Sequence, residues 1–299
     1  MPRIIVLVLL VLAGCAKRAP ESGGDRMLPG TAVSGDKHYA LRGEIIRIDA
    51  GRRVLTVRHE AVAGLMPAMT MEFSVGAGDA AAARVGEDIR ANLVLDGAGG
   101  NPHLERIWPD DRAAADAVAA GARSLREDTH DRGESAYREV GEAMPDFTLF
   151  DQSGRVVSSR RFRGKQIMLN FIFTRCPVAN MCPASTAKMI SAQRLARAAG
   201  IKNIEFVSIT LDPTYDTPGV LQEYAAVRGI DTGNFSFLTG PESAVRDLLT
   251  QFGVIAEFDG DLVKHTLATV LIDPRGTLIW RADGSVWEPS DFVARMHKG

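Results

Sequence analysis

The sequence predicts a chain of two domains, a small β-barrel followed by an α/β domain with a mixed sheet. Its 299 residues are enough for about two domains, and a hydrophobic content of 45% is ordinary for globular protein. Short alternating strand patterns with turn signals fill the first half, and strands alternating with helices fill the second. The net charge of −2 gives no reason to expect a nucleic-acid partner.

The first residues indicate an exported protein. Arg3 supplies a positive charge, and Ile4 to Leu12 form an apolar run that is shorter than the roughly 20 residues a membrane span needs. Such a run is typical of the core of a secretory signal. It ends at Leu12-Ala13-Gly14-Cys15, which resembles the lipobox of bacterial lipoproteins. That resemblance implies a signal peptide over 1–14, lipidation of Cys15, and a place in the bacterial cell envelope, facing the periplasm or the outside. The alternative is an ordinary signal with an incidental cysteine.

A tether and then a barrel follow the lipobox. Residues 15–37 are rich in Gly, Pro, Ser and charge, which predicts a flexible tether. Residues 38–110 contain strand patterns that together suggest a small barrel. The predicted strands are Ala40 to Ile48, Val54 to His59, Met69 to Val75, Ile89 to Leu95 and Leu104 to Trp108.

Residues 111–141 are predicted to link the two domains. From Arg112 to Ala122 the segment is alanine-rich, which favours a helix. From Arg123 to Val140, nine of 18 residues are charged and few are large and apolar. This half of the segment is therefore predicted to be a linker or a solvated helix, outside any core.

Residues 142–299 are predicted to form the α/β domain. A Pro274-Arg275-Gly276 turn joins its last two strands into a hairpin, which makes the sheet mixed. The predicted strands are 166–173, 204–210, 235–238, 267–273 and 278–282, and the predicted helices are 183–199, 218–227, 242–252 and 289–297.

Two cysteines follow the first of these strands. Cys182 precedes Pro183, a residue favoured in the first turn of a helix, so the helix N-terminus is expected to lower the pKa of the Cys182 thiol. His265 precedes a later strand, at what is expected to be the same sheet edge. Two thiolates and an imidazole are a soft ligand set that suits copper. The five residues between Cys176 and Cys182 also allow the pair to close a reversible disulfide.

A series of motifs runs along this half of the chain: Phe173-Thr174-Arg175-Cys176-Pro177, Cys182-Pro183, Thr210-Leu211-Asp212-Pro213 with Asp216-Thr217-Pro218, His265, and Leu271-Ile272-Asp273-Pro274-Arg275-Gly276. Over about residues 142–297 they resemble the Sco/SenC proteins. The resemblance implies a thioredoxin-like fold, copper binding through Cys176, Cys182 and His265, and a role in assembling the copper centre of cytochrome oxidase, with Asp212 in support. Some members are thought to reduce disulfides of the apo-oxidase.

The loop between the cysteines departs from that family. It holds five residues, where the family usually has three. The longer loop is expected to shift Cys176 relative to His265 and so to change copper affinity or redox potential. Met181 lies inside the loop, either as a soft fourth contact or as a packing residue.

The predicted barrel carries a second sulfur cluster. Met69 and Met71 are two apart on one strand and therefore point to the same face, and His59 ends the preceding strand. One imidazole with thioethers selects Cu(I) or Ag(I) over zinc, and thioethers resist disulfide chemistry. The alternative is that these methionines only fill the barrel core.

The segment from His59 to Phe73 resembles the CusF-like family of periplasmic copper-binding proteins, with a match over about residues 38–109. The resemblance implies an OB-like barrel with ligands at His59, Met69 and Met71. Met66 stands where the best-known member has a tryptophan, and is predicted to add a third thioether. The spacing from His59 is one residue shorter than in that member.

These features together predict a membrane-anchored copper chaperone outside the cytosol. Copper is the expected cofactor, with no organic cofactor. The expected partners are an apo-cytochrome oxidase subunit or another copper acceptor, a thiol reductant, since thiols outside the cytosol are normally oxidised, and the membrane through the lipid anchor. A flexible linker between the domains predicts intramolecular transfer of copper. The remaining histidines are predicted to be surface residues: His38, His103, His130 and His297.

Two other functions remain open. One is a thiol–disulfide oxidoreductase that uses Cys176 and Cys182 as its redox pair, with peroxidase activity as a weaker variant. The other is copper storage or resistance without delivery. His265 distinguishes the first, because disulfide exchange does not need it.

Overall fold

The computed structural model describes residues 35–97, 102–133, 136–259 and 262–298, and for 257–259 and 262–265 it describes the backbone alone. The predicted signal peptide, Cys15 and most of the predicted tether lie outside the described residues. Within them, no helix combines the length and the hydropathy that a membrane crossing needs.

The first half of the described chain folds into a closed barrel of five strands, whose neighbours around the barrel are β1, β2, β3, β5 and β4. A short helix, α1 (Ala77–Ala82), joins β3 to β4 and was not predicted. The strands are β1 (Lys37–Asp49), β2 (Val54–His59), β3 (Met69–Ser74), β4 (Asp88–Leu95) and β5 (His103–Pro109).

The barrel interior is apolar, and one glycine lets two strands approach closely within it. Leu55, Val57 and Phe73 are fully buried, as the alternation along β2 and β3 predicts. Gly43 on β1 lies opposite His59. A β-carbon at Gly43 would lie 2.6 Å from the carbonyl oxygen of Arg58 and 2.7 Å from the α-carbon of His59. Only glycine therefore allows β1 to pass this close to the end of β2.

The segment between the domains is a long helix, α2 (Arg112–Arg132), which begins with the Asp111 side chain accepting a hydrogen bond from the Ala114 amide at 2.7 Å. The prediction that residues 123–140 lie outside any core is wrong at Leu125, which is buried in the core of the second domain. The many charged residues of this segment hid a large apolar side chain that is buried. Leu125 lies on the face of α2 that packs on the second domain. Arg126 also pairs with the buried Asp247 at 3.0 Å.

The second half contains a mixed sheet of seven strands among the described residues, in the order β14, β13, β8, β9, β10, β6, β7. The predicted strands are present, and β6 and β7 form an additional antiparallel edge. The strands are β6 (Thr148–Asp151), β7 (Val156–Ser158), β8 (Gln166–Ile172), β9 (Ile204–Thr210), β10 (Phe235–Thr239), β13 (Ala268–Ile272) and β14 (Leu278–Asp283), with a separate two-stranded hairpin of β11 (Ala256–Asp259) and β12 (Leu262–His265).

Helices flank this sheet. α3 and α6 contact each other, as do α2 and α5. Every residue of β8 and β9 is buried, as expected for central strands covered on both faces. The helices are α3 (Cys182–Ala198), α4 (Pro218–Val227), α5 (Glu242–Gln251) and α6 (Pro289–Val293).

The barrel packs directly on the second domain. Trp108 meets Phe150 edge to face, with ring centroids 6.0 Å apart. Arg106 donates to the carbonyl oxygen of Thr214 at 3.1 Å, and Arg84 donates to that of Ser153 at 2.6 Å. The linker prediction treated the two domains as independent bodies, whereas the structure holds them in contact.

Candidate metal centres

The two cysteines of the second domain lie together at the start of α3. Cys182 is the first residue of the helix and is fully buried, and Cys176 is partly buried in the preceding loop. Neither of the two forms a disulfide, and their side chains share a hydrogen bond. Met181 packs against the core, which agrees with the packing alternative for this residue.

The prediction that the helix N-terminus lowers the pKa of Cys182 is wrong. Burial raises the pKa of this thiol, and the neighbouring Cys176 raises it further, although a hydrogen bond from the Phe173 amide opposes the shift. Desolvation of a fully buried thiolate outweighs the favourable dipole. A copper ion bound here would therefore have to displace the thiol proton, so that binding releases protons.

His265 ends β12, and its α-carbon pairs with that of Ala256 on β11. β13 begins at Ala268 and runs antiparallel to β8, with Thr269 opposite Asn170. The start of β13 therefore lies beside the end of β8, the strand from which the cysteine loop leaves. The backbone thus brings residue 265 to this edge of the sheet, and its role as a ligand stays a prediction.

A buried carboxylate braces the cysteine loop. Asp216 is fully buried and accepts hydrogen bonds from the amide of Thr174 at 3.1 Å, from the hydroxyl of Thr174, and from the hydroxyl of Thr210 at 2.6 Å. Burial raises the pKa of Asp216 to about 6, against the lowering effect of these donors. Thr174 lies two residues before Cys176, so this network fixes the backbone from which the thiol projects.

Asp212 also stabilises the cysteine loop, through Arg175. Its carboxylate accepts from the Arg175 guanidinium at 2.8 Å, and that guanidinium stacks on the Tyr215 ring, 4.1 Å from the ring centroid. The resemblance implied a supporting role for Asp212, whereas no role was predicted for Asp216. The contact between Thr174 and Asp216 could have been predicted from the sequence. The two residues follow β8 and β9, which are parallel neighbours and therefore end at the same edge of the sheet.

Replacing Asp216 by alanine is expected to lower the free energy of unfolding by about 2–4 kcal/mol, because buried donors of Thr174 and Thr210 lose their acceptor. Urea unfolding of the metal-free protein measures this. Asp283→Ala is the matched control, since the Asp283 side chain is 72% exposed and its change should stay below about 1 kcal/mol. Equal losses in both variants would contradict a bracing role.

In the barrel, His59 presents one ring nitrogen without a partner. The imidazole is 2% exposed, and its Nδ1 lies 2.6 Å from the carbonyl oxygen of Glu60. Because a carbonyl only accepts, Nδ1 is the donor. Nε2 is buried and has no hydrogen-bond partner among the described residues. A buried nitrogen with a fixed partner on the other side of its ring is what a metal-binding histidine presents.

The predicted thioether residues lie on backbone positions near His59. Met69 lies directly opposite His59 across the β2–β3 ladder, which places β-carbons about 5 Å apart. Met71 is on the same face two residues further along, and Met66 pairs with Val62 in an isolated antiparallel bridge. Met66 and Met71 are partly buried against the barrel core, whereas Met69 is 47% exposed. The residues therefore fit a soft cation at the mouth of the barrel.

The remaining histidines lie apart from both clusters. Exposed positions are occupied by His38, His130 and His297, and His103 is partly buried, 3.4 Å from Glu105. In the part of the chain that the structure describes, no group of three or more His, Cys, Asp or Glu side chains is arranged to hold a metal. The thiol pair and the imidazole–thioether cluster are therefore the candidates that this region offers.

Comparison with known protein families distinguishes the two halves. The SCO1/SenC family model matches residues 135–298, which is more than half of the chain. The chain belongs to the SCO1/SenC family. A second model, for the copper binding periplasmic protein CusF, matches residues 38–109. The predicted resemblances are thus confirmed for both halves, and the prediction of copper agrees with the CusF match.

Relatives of this SCO1/SenC protein cover its second half. A SCO2-like protein of Rickettsia typhi is 33% identical over 147 residues, which are 47% of this chain and 68% of that protein. A SCO1 homologue of Bacillus subtilis is 31% identical over 151 residues, 49% of this chain and 77% of that protein. A SCO1/SenC family lipoprotein of Bacillus anthracis has a crystal structure that is 25% identical, with a TM-score of 0.48, and covers 53% of this chain and 96% of that one. The second half has the thioredoxin-like fold of Sco proteins, with a mixed sheet.

Proposed function

We propose that this protein is a copper chaperone, anchored by a lipid in the bacterial cell envelope and facing the periplasm or the outside, that delivers copper for assembly of the cytochrome c oxidase copper centre. The observation that carries the proposal is the presence of two soft donor sets in one chain. One is the thiol pair at the start of α3, in the half that matches SCO1/SenC. The other is the unpaired Nε2 of His59 beside thioethers, in the half that matches CusF.

In the second domain, Cys176, Cys182 and His265 are the proposed ligands, with copper as the cargo. Two sulfurs and one nitrogen hold Cu(I) and tolerate Cu(II). Asp212 and Asp216 act through the loop that carries Cys176, by fixing Arg175 and Thr174. They position the thiol and do not bind the metal.

In the barrel, the proposed ligands are His59, Met69 and Met71, with Met66 as a third thioether. The circular strand order β1-β2-β3-β5-β4 supports an OB-like class for this domain. We place the barrel at 38–110, the linking segment at 111–141 and the Sco domain at 142–299. The packing of α2 against α5 attaches the linking segment to the Sco domain.

A second candidate function is thiol–disulfide exchange. It is favoured by the hydrogen bond between the two thiols, because this bond places the side chains of Cys176 and Cys182 next to each other. Cys176 is the more exposed and would be the attacking sulfur, whereas the raised pKa of Cys182 disfavours it as a thiolate. His265→Ala separates the two functions, because copper delivery needs the imidazole and disulfide exchange does not.

Delivery is tested with the full chain loaded with Cu(I) and a separately purified soluble copper-binding domain of a cytochrome oxidase subunit. After an added one-electron oxidant such as ferricyanide has oxidised the transferred Cu(I), wild type is expected to yield the absorption spectrum of the assembled copper centre, and His265→Ala to yield less than about a tenth of it. His297→Ala, an exposed histidine outside both clusters, is the matched control. Binding of two copper ions per chain without any transfer would overturn delivery and favour storage. Transfer of disulfides without transfer of copper would favour the oxidoreductase.

A further inference from the structure

Two glycines from different domains meet at the contact between α1 of the barrel and α4 of the Sco domain. A β-carbon at Gly78 would lie 1.9 Å from the carbonyl oxygen of Gly219, and a β-carbon at Gly219 would lie 2.0 Å from the carboxylate of Asp79. No larger residue fits at either position without moving the helices apart. The two helices therefore touch backbone to backbone.

Carboxyl groups line this glycine contact. Asp79 packs against Gly219, and Glu223, one turn further along α4, accepts a hydrogen bond from the amide of Gly78 at 3.3 Å. Burial, together with the charges of Glu223 and Glu105, raises the pKa of Asp79 to about 7, against a backbone hydrogen bond at Gly76 that lowers it. The contact thus brings an acidic side chain of one domain against that of the other.

Few cations are available to neutralise this cluster. A cavity of about 480 Å³ beside it is lined by His103, Glu105 and Arg106 from β5 and by Tyr215 from the Sco domain. Arg106 already donates to the carbonyl of Thr214, and His103 lies 3.4 Å from Glu105. Glu87 lines a smaller cavity on the other side of Asp79. Asp79 has no ion pair within the described ranges 35–97, 102–133, 136–259 and 262–298.

We propose that the α1–α4 contact is a pH-dependent clasp, which holds the barrel on the Sco domain while Asp79 is protonated and opens when Asp79 and Glu223 are both charged. The close approach of Gly78 and Gly219 allows the two helices to pack, and the carboxyl groups of Asp79 and Glu223 make this packing depend on pH. The clasp itself does not depend on copper.

The direction of the pH effect follows from the two states of Asp79. Its pKa is about 7 in the closed contact and is expected to return towards the ordinary value of 3.8 when the contact opens and solvent enters. The closed state therefore binds the proton more tightly. The contribution of Asp79 to closure is complete below pH 4, weakens by up to about tenfold per pH unit above that, and is lost above pH 7.

Opening matters for copper, on the premise of the proposed function, because the contact fixes the position of the barrel, and with it the barrel site, on the Sco domain. Ser74 lines the cavity at the contact together with Tyr215. Met69 starts the same strand five residues earlier, which is roughly 17 Å away at 3.3–3.4 Å per residue. The barrel site thus lies at the end of β3 away from this contact, and opening the contact would move it relative to the Sco site.

Small-angle scattering of the full chain, metal-free and with reduced thiols, tests the clasp between pH 5 and pH 8. Wild type is expected to be compact at pH 5 and to increase its radius of gyration as the pH passes 7. Asp79→Asn should stay compact throughout, because its amide cannot ionise. Asp88→Asn, an exposed carboxylate of the same barrel, should behave as wild type. An unchanged radius in wild type, or an unchanged transition in Asp79→Asn, would overturn the proposal.

A glycine variant tests the fit independently. Gly78→Ala raises helix propensity in α1 but places a methyl group against a backbone oxygen, so the chain should be expanded even at pH 5. Gly51→Ala is the matched control, since the nearest atom there is 3.7 Å away. Circular dichroism and silver binding by the barrel establish that both variants fold. A folded Gly78→Ala chain that is compact at pH 5 would refute the clasp, whereas the copper-delivery assay would be unaffected by that result.

Discussion

Cys176→Ala is expected to remove one of two copper equivalents from the full chain and to weaken the Sco site by more than about 100-fold. Substitution of a group that only orients a ligand costs about 10–100-fold, and loss of a coordinating sulfur should cost more. Cys176 is also the better of the two cysteines to change, because it is partly buried whereas Cys182 is fully buried. Titration with Cu(I) against a competing chelator, under reducing conditions, measures the loss.

Two further variants serve as a control for this measurement and as a test of the third ligand. Val178→Ala changes an exposed residue of the same loop and should retain both equivalents. His265→Ala should reproduce the loss of the Cys176 variant if the imidazole and the thiols hold one ion. Retention of two equivalents by Cys176→Ala would exclude the thiol pair as the ligands of the second copper ion and would require another site for it.

The double substitution Met69→Leu/Met71→Leu is expected to remove the other equivalent and to lower silver and Cu(I) affinity of the barrel by at least about 100-fold. Leucine conserves the volume of methionine, so the barrel core should lose less than about 1.5 kcal/mol per site. The Nε2 of His59 would then have no sulfur from either position beside it. Silver titration followed by calorimetry measures affinity, and thermal unfolding measures stability.

Leu65→Ala is the control for this pair, since Leu65 is a 37% exposed residue of the loop before Met66 and carries no donor. It should keep the barrel site intact. If the double variant bound silver as wild type does, the methionines would be packing residues, and the buried nitrogen of His59 would need another explanation. Because the Sco site lies in a different domain, its equivalent should persist in both variants.

The contact between the two domains changes what is expected of copper transfer within one chain. The charge pattern of residues 123–140 suggested a flexible connection, and a flexible connection allows frequent encounters. The structure instead places Leu125 of α2 in the core of the Sco domain and glycine against glycine between α1 and α4. Under the proposed function, transfer within one chain would therefore depend on whether the clasp is closed, whereas transfer between chains would not.

Much of the fold followed from local patterns. β2, β9 and α4 lie where hydrophobic periodicity and turn residues indicated, because their apolar residues recur with the period of the element. The short strands β6 and β7 and the β11–β12 hairpin were not predicted. Each has only three or four residues, too few for a period to show.

The sequence by itself identified the chemistry: which sulfurs and imidazoles are present, which are two apart on one strand, and which motifs match known families. Tertiary structure decided how those groups behave. It raised the pKa of Cys182 by burying it, tied Thr174 to Asp216 across two strands, and set the barrel against α4. Desolvation and contacts between distant segments depend on which surfaces are brought together, and no local pattern encodes that.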